Sequence, residues 1–173
     1  MFWDSSAIVP TLVPAAESSP LHAILQADPE RTLWWGTPVE CQCALFRRER
    51  DRHLTASLVQ QGLQRLVALI QDVDFVGPTT RLRDRACRLV ATHPLRAGDA
   101  LQLAAALMWC GEAPDAGAPF VSLDARLRDA ARREGFAILP DWRGRTSARC
   151  RLPLPPQRGE ALASRATRSQ AQR

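Results

Sequence analysis

The chain has 173 residues, 46% of them apolar and 24% charged, which is enough for one compact domain and too few for two. No apolar run approaches the roughly eighteen residues needed to cross a bilayer. The start, MFWDSSAIVP, carries an acid and no positive region, so the reading is a cytoplasmic protein with no secretory signal and no membrane contact. All 23 basic residues are arginine, and the lack of lysine excludes P-loop nucleotide binding and Schiff-base chemistry.

Short apolar runs alternate with longer helical periodicities, the pattern of an α/β fold on a parallel sheet. Met1 to Trp3 reads as the first strand, closed by Asp4, which caps a helix beginning at Ser5 or Ser6. Leu33-Trp34-Trp35 is the second, followed by Thr37-Pro38-Val39-Glu40, a capping box with Pro38 at N1. Val59, Leu63, Leu66, Val67 and Ile70 form a core-facing stripe. Asp74 to Val76 is a third strand, and Leu82, Ala86, Leu89 and Val90 mark a helix that His93-Pro94 ends. Asp99 to Cys110, DALQLAAALMWC, is apolar almost all round and reads as the central buried helix. Pro119 to Leu123 is the fourth strand. Leu127, Ala130 and Ala131 mark a last helix, closed by Gly135 at C′, before a fifth strand at Phe136 to Leu139. Being short and unalternated, the strands are expected to be buried on both faces.

After Trp142 the apolar period stops, so residues 1–142 read as the domain and 143–173 as a basic, disordered tail. The charge divides the same way. The tail holds eight arginines against Glu160 alone, whereas the first 142 residues hold fifteen against seventeen acids. The nucleic-acid hint of a basic chain therefore belongs to the tail.

The five cysteines are odd in number and include no Cys-x-x-Cys; Cys41 and Cys43 read as reduced packing residues. His22, His53 and His93 form no ligand-spaced pair. Trp3, Trp34, Trp35 and Trp109 are expected in the core and Trp142 exposed. Arg47, Arg48, Arg50 and Arg52 fit a solvated helix face as well as they fit RNA phosphates. Arg96, near Asp99, is a candidate for holding a phosphate.

Four acids share one kind of place. Asp4, Glu40, Asp99 and Asp124 each follow a strand or open a helix. Taken singly, each is explained by helix capping. Together they belong to one crevice, because the carboxyl ends of parallel strands lie along one edge. Two carboxylates about 4 Å apart repel by roughly 4 kcal/mol at an effective dielectric near 20. Such a cluster either takes up protons or demands a cation. Oxygen donors without histidine or cysteine favour Mg²⁺ or Mn²⁺, whose chemistry suits phosphodiester hydrolysis.

These segments resemble, in order, the four motifs of PIN domains of the VapC toxin type. FWDSSAIVPTLVP is similar to the first, WWGTPVECQCALFRRER to the second, LRAGDALQLAAAL to the third and FVSLDARLRDAARREGFAILP to the fourth, together spanning residues 1 to about 141. The resemblance implies a three-layer α/β/α PIN-like fold with a short parallel central sheet. It implies a Mg²⁺- or Mn²⁺-dependent endoribonuclease, the toxin of a toxin–antitoxin pair, with Asp4, Glu40, Asp99 and Asp124 as catalytic acids. Asp4, Asp99 and Asp124 become metal ligands, and Ser6 and Ser122 support them. RNA substrate, a cognate antitoxin and a homodimer follow as partners. The rival reading is a PIN-like module that binds RNA or a partner without cutting. A haloacid-dehalogenase-like enzyme would want a second Asp where Ser6 stands, and a lysine.

Overall fold

Strand β1 (Phe2–Trp3) is two residues long, and its side chains divide the interior between them. Successive strand residues point to opposite faces, so Phe2 and Trp3, both fully buried, start separate cores. The computed structural model describes residues 1–15, 18–114 and 117–141. Residues 1–141 form one compact unit, and the tail read from the sequence lies outside the described residues.

In chain order β1 leads to helices α1 (Ser5–Leu12) and α2 (Ser18–Ala27), then to strand β2 (Thr32–Trp34). Helices α3 (Thr37–Arg50) and α4 (Ala56–Ile70) precede strand β3 (Asp74–Val76). Helices α5 (Thr80–Thr92) and α6 (Ala97–Trp109) precede strand β4 (Pro119–Val121), and α7 (Ala125–Arg133) leads to strand β5 (Ala137–Leu139). The sheet is parallel throughout, in the order β3-β2-β1-β4-β5. Connections leave β1 in opposite directions, and the switch between β1 and β4 opens a crevice at their carboxyl ends.

Phe2, Trp34 and Phe120 pack with α5, α6 and α7 on one face, where Phe2 stacks on Phe120 at 5.6 Å. Trp3, Leu33 and Val121 pack with α1 to α4 on the other. The result is a three-layer α/β/α fold. Among the described residues no helix is long and apolar enough to cross a membrane.

Several sequence expectations need correction. Strands β1, β2 and β4 are buried as anticipated, but β3 and β5 lie at the edges, where Asp74, Phe75 and Ala137 are exposed. Val67 and Val90 fall outside their stripes, each a step of about 100° from the buried Leu66 and Leu89, and are exposed. Helix α6 starts at Ala97, two residues before Asp99, with Arg96 at the N-cap. Gly135 does close α7, at φ +104°, the left-handed region that glycine enters without cost. The longest buried stretch of α6, Gln102 to Leu107, lies under the sheet, and the helix touches α5 and α7 as well.

Leu103, fully buried in this stretch, is expected to lose about 2–5 kcal/mol of stability on substitution by alanine, since the close-packed surroundings cannot collapse onto the space left. Urea unfolding of Leu103→Ala against the parent chain measures it.

Candidate active site

Asp4 stands at the carboxyl end of β1, where its N–H donates to the carbonyl of Val121 on the neighbouring strand at 2.9 Å. Its side chain caps α1, accepting from the Ser6 N–H at 3.2 Å. The same oxygen, Oδ2, accepts from the Ser6 hydroxyl and, at 2.9 Å, from the Ser122 hydroxyl. Ser6 and Ser122 therefore both hold Asp4, and Ser6 Oγ also accepts from the N–H groups of Leu123 and Asp124. These bonds staple α1 to the loop after β4.

The other three acids reach the same edge on separate helices. Asp124 caps α7, with Oδ1 accepting from the Leu127 N–H at 2.9 Å. Asp99, in the first turn of α6, reaches back to the Arg96 N–H at 3.4 Å. Glu40 is the exception to capping. Gly36 is the N-cap of α3, Thr37 and Pro38 are already helical, and the Glu40 carboxylate accepts from Gln102 Nε2 at 2.7 Å. The expected capping box between Thr37 and Glu40 does not form, because Thr37 is buried and also accepts from Gln102.

One open cleft of about 630 Å³ is lined by Ser5, Ser6, Glu40, Asp99 and Asp124, with Arg47, Arg48 and Arg96 on its walls. Asp4 lies beneath its serines, 3% exposed. Burial, opposed by the serine hydrogen bonds and reinforced by the charge of Glu40, pushes the Asp4 carboxyl up to about 6. Asp99 is likewise raised, by burial first and then by Asp124. The acids thus feel one another as two pairs, Asp4 with Glu40 and Asp99 with Asp124. None of the four is in an ion pair among the described residues.

This fold has been seen before. A chain of a solved toxin–antitoxin complex from Klebsiella pneumoniae superposes with a TM-score of 0.52, covering 72% of this chain and 87% of that one at 13% identity. No known family matches the sequence, and no curated protein does. At that identity the likeness speaks for the fold alone.

Among the described residues no three His, Cys, Asp or Glu side chains stand close enough together to hold a metal ion by themselves. The donor set nevertheless suits a hard divalent cation. It offers two carboxylate pairs, in each of which one member, Asp4 or Asp99, has a raised proton affinity, with no ion pair among the described residues to neutralise them. Mg²⁺ commonly takes only one or two carboxylates, completing its shell with water and phosphate oxygens.

Two positioning residues escaped the sequence reading. Gln102 sits 1% exposed in the apolar stretch of α6 that follows Asp99, and a lone polar residue there was the available signal. Arg128 donates to the carbonyls of Ser122 at 2.6 Å, Leu139 at 3.1 Å and Pro140 at 2.9 Å, pinning the ends of β4 and β5 behind the serine. Its position in the amphipathic α7 gives no such hint. Cys41 is the packing residue expected, its thiol raised by burial and then by Asp4 and Glu40. Cys43 is exposed on the cleft wall instead. Trp35 is also not in the core, being 59% exposed just past the end of β2.

The raised Asp4 carboxyl has a definite sign. Its folded value of about 6 exceeds the ordinary 3.8, so the folded chain binds the extra proton between those values and stability falls as pH rises through that window. Asp4→Asn keeps a capping oxygen and removes the charge. In EDTA above pH 6 the variant is expected to be more stable than the parent by up to about 3 kcal/mol, and near pH 3.8 to lose that advantage. Urea melts across the range measure the crossover.

Proposed function

We propose that this chain is a Mg²⁺- or Mn²⁺-dependent endoribonuclease acting as the toxin of a toxin–antitoxin pair. What carries the reading is the cleft that Glu40, Asp99 and Asp124 line, with Asp4 buried beneath its serines, four acids from four helix starts with no compensating ion pair among the described residues. The fold shared with a chain of the Klebsiella complex supports the toxin half of the proposal. The order of the four motifs supports the PIN-type assignment. A protein antitoxin covering the cleft, a homodimer and a cytoplasmic location belong to the same reading.

Asp4, Asp99 and Asp124, directly or through water, would hold the cation, which when bound would neutralise charge on a phosphodiester and ease deprotonation of an attacking water. Glu40, half-buried and held by Gln102, would orient that water and accept its proton. Ser6 and Ser122 keep Asp4 in one rotamer, leaving Oδ1 the less engaged oxygen, with only a 3.4 Å bond from Ser5. Arg96 on the wall is available to a phosphate oxygen.

A non-cutting PIN-like module is the second reading, and one observation favours it: no three acids are preassembled at ligating spacing among the described residues. Cleavage of labelled single-stranded RNA with added Mn²⁺ separates the two. The parent chain should cut, and Asp4→Asn and Asp99→Asn should lose about 100-fold or more. Growth should be inhibited by the parent and by neither variant. Variants that cut as well as the parent would remove the acids from the reaction, and a parent that cuts no RNA at any Mn²⁺ level would leave the binding module. Gln102→Leu, close in volume, should fold normally yet cut roughly tenfold more slowly, because Glu40 loses its holder.

A further inference from the structure

The acids do not end the cleft. Asp99, Asp124 and Arg96 also line a second hollow of about 320 Å³ that continues to Ala125 and Arg126. The groove is therefore two-lobed, with Asp99 and Asp124 in the shared wall. Arg47 and Arg48 of α3 stand in the first lobe, Arg126 of α7 in the second, and Arg96 borders both. Both Arg96 and Arg126 lie near enough to act on the charge of Asp99.

None of these four arginines is in an ion pair among the described residues. Elsewhere Arg81, Arg83, Arg85, Arg132 and Arg133 are ion-paired, with Glu112, Asp84, Glu134 and Asp129. Arg88 is in no ion pair among the described residues but stands outside the groove, so what marks the four is their place beside the acids. The first 142 residues carry more acids than arginines, so net charge cannot draw a polyanion to this face. Unpaired arginines on either side of the acids can.

We propose that the groove is a track for single-stranded RNA, with backbone phosphates held by Arg47 and Arg48 in one lobe and by Arg96 and Arg126 in the other. The phosphate to be cut then lies over the shared acids. The inference rests on the nuclease reading only for the phosphate over the acids, whose charge the cation would screen; the flanking phosphates meet the arginines with or without it. It adds which residues hold the substrate and along which line the RNA lies. Spaced point charges over spaced arginines suit a phosphate backbone, whose bases need no contact for it to be held. An acidic peptide would bring its charges to the acids with no such neutralisation.

The test measures binding without cleavage. A short 5′-labelled single-stranded RNA is titrated with the full chain in EDTA, and fluorescence anisotropy is read at several salt concentrations. The eight arginines of residues 143–173 are present in every variant, so only differences count. Arg126→Ala and the double variant Arg47→Ala/Arg48→Ala should each weaken binding about tenfold and flatten the salt dependence by about 0.7 for every phosphate no longer neutralised. Arg88→Ala, exposed on α5 outside the groove, should change neither. Parent-like binding and salt slope in both groove variants would overturn the track. So would retained RNA binding with lost binding of a labelled poly-glutamate peptide, which would give the groove to an acidic protein partner. Because no metal is present, loss of binding in the groove variants of a chain that fails to cut RNA would refute the nuclease and keep the track. Cutting that ignores the arginines would do the reverse.

Discussion

The carboxylate of Asp4, buried where β1 meets β4, is the constraint around which the rest of the site is arranged. Burying a charge is costly unless hydrogen bonds compensate it. Here the compensation comes from two serines on opposite sides of the switch point, Ser6 on α1 and Ser122 after β4. It is incomplete, since the carboxyl is still raised to about 6. The same bonds that tame the charge also join α1 to the loop carrying Asp124. Local electrostatic cost and global connection are one structure, and such uncancelled cost is typical of functional sites.

The sheet makes this economy workable. Because Phe2 and Trp3 open two separate cores, helices cover both faces, and α1, α3, α6 and α7 all begin at the same edge. Each delivers one acid there. The two lobes of the groove follow from this convergence, with arginines on α3 and at the starts of α6 and α7 bordering the acids. Among the described residues neither the carboxylates nor the guanidinium groups of this cleft are ion-paired, an arrangement poorly suited to mere stability.

Legibility varied with the range of the interaction. Asp4 and Asp124 cap their helices through bonds two and three residues long, and such bonds are visible as sequence spacing. Ser6 and Ser122, which came with the motif resemblance, both donate to Asp4 Oδ2, the second across 118 residues. Glu40 looked like half of a capping box because Thr37 precedes it by three, yet its partner is Gln102, 62 residues away. Trp35 and Cys43 were assigned to packing by residue type, and both proved exposed, since type reports preference and not which side of an element faces the cleft. Arg128 was invisible because its three acceptors are backbone carbonyls, which every residue has.

The sequence by itself determined the alternation of strand and helix, the burial of the central helix and the four acids at element ends, because periodicity and capping act over a few residues. Only the tertiary structure decided which acids pair, which strands lie at the edge, that Gln102 and Arg128 hold the site, and that the cleft continues past Asp99 to Arg126. Those outcomes depend on distances between segments far apart in the chain, and a linear pattern does not encode them until the sheet order brings the segments together.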